Sequence, residues 1–317
     1  MPAFAIPVTA LLARRSFPRV LLLVGAATCW GVGTVVSKQV LADVAPLTLL
    51  AIQLSASCAF LALVRHIGRT RITWSPQLRR LTALGVLNPG IAYALGLVGL
   101  TSITASMSVL LWATEPVLIV ALAVALLREH VPAILVATMA VAVIGVLLVV
   151  YRPGASGSGT GVALTLAAVT ACALYTVLAR RLLLDDASLS VVLVQQAAAL
   201  GFAVLLLAAA EAATGDALHL TSLTAGQWFA AAGSGVLYYG LAFWLYLTGL
   251  RQMSASVAGS FITLVPVFGI AAGYLVGERL APRQWLGAAV VVLAISVIAL
   301  GQTDPDCDDV RTDVDQG

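Results

Sequence analysis

The chain has 317 residues, of which 61% are hydrophobic and only 10% charged, with a mean hydropathy of +1.04 and a formal net charge of +3. An ordinary soluble domain carries roughly 25% charged residues. These figures exclude a water-soluble globular protein of this size and describe an integral membrane protein of the all-α class.

Residues 1–18 include Arg14 and Arg15 after a weakly apolar stretch. A secretory leader puts its positive charge first, so these residues are expected to form a cytoplasmic N-terminal segment that stays with the chain. A hydrocarbon core about 30 Å thick asks for roughly 20 apolar residues per helical span. That ruler predicts spans near 19–40, 46–65, 80–99, 103–127, 132–151, 160–180, 188–210, 226–249, 254–276 and 283–301, about ten helices. Short connections such as Leu100–Ser102 and Arg128–Val131 make consecutive helices antiparallel neighbours. The longest connections are Arg65–Arg79, Pro153–Thr160 and Glu211–Gly226, and the acidic tail 302–317 is expected to be disordered. Cys29, Cys58 and Cys172 lie in apolar runs and Cys307 in the tail, without zinc spacing or a disulfide framework. Buried structural thiols are expected, and no cofactor or metal is called for.

The chain repeats itself. At a shift of 150, Gly85, Val86, Leu87, Gly90, Gly99, Leu100, Ala105, Ser106 and Pro116 each meet an identical residue between Gly235 and Pro266. Apolar matches come cheaply in such a chain, so the Gly, Ser and Pro coincidences carry the weight. A shift of 143 pairs Cys29 with Cys172, Lys38 with Arg181 and Gln53 with Gln196, and a shift of 149 pairs Glu129 with Glu278. A seven-residue insertion in Glu211–Gly226 accounts for the difference.

Orientation follows from the distribution of Lys and Arg. With the N-terminus inside, Arg14, Arg15, Arg19, Arg65, Arg69, Arg71, Arg79, Arg80, Arg128, Arg180, Arg181, Arg251 and Arg311 fall inside, and Lys38, Arg152, Arg279 and Arg283 outside. Both termini are therefore expected to be cytoplasmic. Each repeat, 19–151 and 152–301, holds five spans, an odd number, so the second enters the membrane upside down. Inverted five-helix repeats are an architecture of secondary transporters, with solute held where the halves meet. Basic residues favour Arg so heavily that Lys38 is the one lysine, and Asn88 is the one asparagine, which suits a bacterial plasma-membrane protein.

With Trp30-Gly31 and Lys38 in the first span, Pro116 and Pro266 in the fourth and ninth, and Glu129 and Glu278 closing those spans, the chain resembles the drug/metabolite transporter superfamily, in its EamA type of two tandem five-helix domains. The resemblance covers nearly all of 20–301. The second copy departs from the first, with Ala173-Leu174 for Trp30-Gly31 and Val265 for Glu115. It implies export or uptake of small metabolites, amino acids or drugs, with export the expected direction; the partners expected are a small-molecule solute and the lipid bilayer, with no nucleic acid.

Glu115 is the sharpest single feature, the one carboxylate near the middle of a span. A charge at the bilayer centre costs at least about 2.5 kcal/mol, so such a group faces a cavity or a partner. Two readings stand: a proton-coupling group or counter-charge, and a structural carboxyl bonded to a neighbouring helix beside Pro116. Pro89, Pro116 and Pro266 interrupt their helices and are candidate hinges. Trp30, Asn88, Tyr93, Trp112, Tyr175, Tyr238, Tyr239 and Trp244 lie inside spans and, with Glu115, form the candidate cavity lining; helix packing is the plainer reading of some. Tyr246 is placed in the same way. Gln53, Gln195 and Gln196 are expected to bond between helices. Gly269, Gly273 and Gly277 form a ridge for close helix approach, within the fold or in a homodimer. Lys38 and Arg181 read as snorkelling anchors, and Glu278 with Arg279, like Glu129 with Arg128, as local ion pairs. Among competing classes, an intramembrane protease would need a base beside its serine, but Ser156 of Gly154-Ala155-Ser156-Gly157 falls in a polar loop and His66, His130 and His219 lie at interfaces or in loops. No Walker segment is present, so ATP bound by this chain supplies no energy. A passive channel stays open as an alternative.

Overall fold

The structure, a computed structural model, describes residues 8–69, 72, 74–127, 137–138, 140–141, 144–145, 148, 159–179, 188–214, 223–250, 261–262 and 264–301. Among them every regular element is a helix. The first half holds α1 (Val8–Val40), α2 (Pro46–Ile67), α3 (Pro76–Gly85), α4 (Ala92–Thr101), α5 (Ala105–Trp112) and α6 (Glu115–Leu127); the second holds α7 (Gly159–Ala179), α8 (Ser188–Thr214), α9 (Ala225–Gly235), α10 (Ala242–Leu250), α11 (Val265–Leu275) and α12 (Pro282–Gly301). Six stretches are long and apolar enough to cross a bilayer: Val20–Val40, Pro46–Ile67, Pro76–Thr101, Gly159–Ala179, Leu189–Ala213 and Ala225–Tyr246. Ala105–Ile119 and Val265–Leu275 are shorter apolar helices. The expected fifth span, the tail, Arg128, Glu129 and Arg181 lie wholly or largely outside the described residues. The expected N-terminal segment is in part helix, because α1 runs back to Val8.

Local chemistry sets the helix starts. Pro46 and Pro76 open α2 and α3, where a missing N–H costs nothing. Ser75 caps α3 by accepting from Leu78 N at 3.1 Å, and Thr104 caps α5 by accepting from Met107 N at 3.1 Å. Thr224 and Gln227 form a reciprocal capping box at the head of α9. The apolar side chains pointing outward, such as Leu205, Phe229 and Leu275, suit contact with lipid tails.

The third and eighth spans break in the same place. A wide helical turn at Val86–Ile91 separates α3 from α4, and another at Val236–Leu241 separates α9 from α10, 150 residues later. In the first, Pro89 lacks a donor and Asn88 before it is extended, at φ −142° and ψ 118°. The second has no proline. There Gln196 Nε2 donates to the Tyr239 carbonyl at 2.9 Å, an outside donor of the kind that sustains a gap in the helical ladder.

Each break is pressed against a helix of the other half. A Cβ on Gly85 would lie 2.4 Å from the Gln195 carbonyl oxygen, and one on Gly235 would lie 2.4 Å from Gln53 Cα. Gly90 sits under Phe202 as Gly240 sits under Phe60. These contacts pair Gln53 with Gln195, and Phe60 with Phe202, at a shift of 142, which corrects the sequence pairing of Gln53 with Gln196 by one residue. Likewise α1 packs on α10 and α11, while α7 packs on α4 and α6. Gly99 and Gly161 meet backbone to backbone in the α4–α7 contact, where small residues let helices close.

The buried glutamines bond between helices as expected. Gln53 Nε2 donates to Ser37 Oγ at 2.9 Å and to Ser234 Oγ at 2.8 Å, and Gln195 Nε2 donates to the Leu81 carbonyl at 3.1 Å. Ser57 donates to Gln196 Oε1, so Gln196 ties α2 to the second break through both ends of its amide. Gln196→Leu strands that hydroxyl and that carbonyl. It is expected to cost about 1–3 kcal/mol, read as a lower apparent melting temperature of the purified protein.

Two further expectations change. The fourth span, predicted unbroken over 103–127, is two helices, with Ala113 and Thr114 between them and Thr114 Oγ donating to the Leu111 carbonyl at 2.6 Å. Pro116 is the second residue of α6 and Pro266 the second of α11, so both stand in a first helical turn rather than mid-helix. Of the ridge Gly269-Gly273-Gly277, the first two glycines pack within the fold. Gly269 faces Val109, Gly273 faces Ser106, and Gly277 takes φ +97° to end α11.

Candidate functional site

Four of the expected lining residues come together. Tyr93 of α4 stacks on Trp112 of α5 at 5.3 Å and 16° between planes, and meets Tyr238 and Tyr239 edge-on at 5.5 and 5.0 Å. The second break supplies both of those tyrosines, so the cluster joins the two halves. It lines a cavity of about 20 Å³ bordered also by Thr34, Ser37 and Ser108. That volume holds about one water molecule.

Glu115 begins α6, where the free amides of a first turn favour a carboxylate. Its Oε1 accepts from Cys172 Sγ of α7 at 3.2 Å. Cys172 therefore does more than fill space, and the Cys29–Cys172 pairing gave no hint of a carboxyl partner. In the other half the matching contact is apolar: Val265 stands where Glu115 would, its carbonyl 2.8 Å from a Cβ built on Gly31. One half has kept a titratable group and the other has none there.

The other candidates are dispersed. Trp30 packs on Phe243 and Tyr246 at 5.2 and 5.4 Å, and its Nε1 has no partner among the described residues. Asn88 is buried beside Pro89, and its Oδ1 likewise has none. The Tyr175 hydroxyl donates to Gln195 Oε1 at 3.0 Å, a bond between helices. Trp244 lies apart from the cluster: it packs on Phe60 at 6.1 Å between ring centroids and is 36% exposed.

The charged ends of the spans depart most from expectation. Glu278 does not pair with Arg279. Its carboxylate accepts from Ala105 N at 2.7 Å, Ser106 N at 2.9 Å and Ser106 Oγ at 2.5 Å, capping α5 across the two halves. Arg279 instead donates to the Tyr274 and Glu278 carbonyls and lies 3.9 Å above the Tyr274 ring. Lys38 does not simply reach for the interface. Its Nζ donates to the Leu100 and Thr101 carbonyls, at 2.7 and 3.0 Å, and so closes the C-terminal end of α4. An anion on a helix start and a cation on a helix end each complement the partial charge of that terminus, which favours both contacts.

Comparison with known proteins places this arrangement. The EamA-like transporter family model matches residues 18–151 and again 159–300. The chain belongs to the EamA-like transporter family. Among curated relatives of this EamA-like protein, one from Archaeoglobus fulgidus, named an uncharacterized transporter, is 24% identical over 86% of this chain and 95% of its own. Another, the uncharacterized transporter YetK of Bacillus subtilis, is 31% identical over 66% of this chain and 64% of its own. A solved crystal structure matches 89% of this chain and 96% of its own with a TM-score of 0.63 at 17% identity, a likeness of fold. The protein is thus a multi-pass helical membrane transporter.

Proposed function

We propose that the protein is a secondary transporter that exports small metabolites, amino acids or drugs across a bacterial plasma membrane by alternating access, with Glu115 as its proton-coupling group. Two five-helix units, 19–151 and 152–301, face each other about an axis in the membrane plane, and both termini are cytoplasmic. The observation that carries this reading is the reciprocal seating of the two helix breaks: Gly85 on Gln195 and Gly235 on Gln53. A twofold relation between units produces such an exchange, and five spans per unit then set the second upside down. The small aromatic cavity lined by residues of both halves supports a solute path that opens to one side at a time, as inverted-repeat transporters do. Glu115, at the start of α6 and bonded to Cys172, is the carboxyl assigned here to take up and release a proton as the path changes sides. Pro89, Pro116 and Pro266, together with the proline-free break at Tyr239, mark where helices yield.

A thermal-shift screen of the purified protein against amino acids, amines and drugs identifies a solute, since a ligand of the folded state raises apparent stability by mass action. Flux of that solute into vesicles with an imposed pH gradient is then expected to be saturable and concentrative. Flux that only dissipates its own gradient would mean a channel and overturn the reading.

A further inference from the structure

We infer that Glu278, with Lys38 beside it, is the latch that keeps one mouth of the solute path shut. The inference rests on the alternating-access reading and adds to it the residues that hold one side closed.

The latch grips the turn between the third and fourth spans, Thr101–Ala105. Its carbonyl end is the C-terminus of α4, held by Lys38 of α1; its amide end is the N-terminus of α5, held by Glu278 of the other half. Local helix caps come from residues one turn away, whereas Glu278 reaches α5 from 172–173 residues along the chain. Glu278 follows the end of α11 and its carboxylate reaches Ala105 and Ser106 of α5, while nearer the middle of α11 Gly269 meets the Val109 side chain.

The sequence builds the latch deliberately. Gly277, at φ +97°, reverses the chain as α11 ends, with Glu278 N donating to the Gly273 carbonyl at 2.9 Å and Gly277 N donating to the Tyr274 carbonyl at 3.2 Å. That helix-ending motif aims the next side chain back along the helix. Gly273 leaves the space it passes through: a Cβ there would lie 2.7 Å from both Glu278 Oε2 and Ser106 Oγ.

The helices the latch grips reach the cavity: Leu100, whose carbonyl Lys38 holds, is among its lining residues, as are Ser37 of α1 and Ser108 of α5. Any opening toward this face must part α11 from α5 and break all three Glu278 bonds together. Water entering a parted mouth offers equivalent partners to each group, so the latch holds while dry and releases once wetted.

The test is labelling of Ser108→Cys, buried at 2% exposure, in a chain whose four native cysteines are replaced by serine. A membrane-impermeant maleimide is applied separately to each face of the membrane. Glu278→Gln weakens three charge-assisted bonds and is expected to speed labelling from the Glu278 face by about tenfold. Gly273→Ala, which forces Glu278 and Ser106 apart without removing charge, is expected to do the same, and Arg279→Gln to leave the rate unchanged. An unchanged rate from that face in both latch variants, with the parent labelled from the opposite face, overturns the latch and spares the transporter reading. An equal rise from both faces also overturns it, because it reports general loosening. Absence of labelling from either face in every variant overturns both.

Discussion

Gly85→Ala and Gly235→Ala are each expected to cost about 3 kcal/mol, seen as a fall of roughly 6–12 °C in the apparent melting temperature of the purified protein. The methyl group in each case would lie 2.4 Å from a backbone atom, the Gln195 carbonyl oxygen or Gln53 Cα. A flexible side chain could swing aside; backbone in the middle of a packed helix cannot, so two halves must separate to admit the carbon. Gly233 stands two residues before Gly235 on the same helix with nothing within 4 Å of a built Cβ, and Gly201 on α8 is equally open. Alanine at either control site is expected to leave melting unchanged or raise it slightly, since alanine favours helix over glycine. Melting of Gly85→Ala within about 2 °C of the parent would show that the halves meet less closely than described.

Glu115→Gln is expected to reduce pH-gradient-driven accumulation of solute in vesicles to background while leaving the protein folded. Glutamine keeps the shape and can still accept from Cys172 Sγ, so the α6–α7 contact survives. It has no proton to exchange, so coupling is lost even where solute still binds. Melting unchanged within a few degrees separates this outcome from misfolding, and Glu115→Asp, which retains a carboxyl, is expected to retain gradient dependence. Full accumulation by Glu115→Gln with unaltered pH dependence would remove the proton role and leave Glu115 as a structural carboxyl at a helix start.

Much of the frame was legible in the sequence because membrane burial leaves a coarse signal. Pro46–Ile67 against an expected 46–65, and Gly159–Ala179 against 160–180, follow from hydropathy and length alone. The shift of 150 reappears as two helix breaks in register, because glycines that let backbones touch leave identities that apolar positions do not. What escaped was three-dimensional. The break at Tyr239 has no proline and depends on a glutamine from another helix. Glu278 beside Arg279 reads as an ion pair in one dimension, yet Gly277 turns it toward Ser106 of the other half. Trp244 and Tyr238 are both aromatic residues inside one span, and only helix phase decides that one packs on Phe60 and the other on Tyr93. Cys172 looked inert because nothing in its neighbourhood announces Glu115, 57 residues away.

Lys38 is the chain's one lysine, and its ammonium is engaged with two carbonyls at the end of α4. An endoproteinase specific for lysine therefore has one bond to cut, and an amine-directed acylating dye has one side chain to find. Whichever way the molecule is poised, the speed of either reaction reads out how tightly that ammonium is held. The protein carries its own single-point sensor, without a residue being changed.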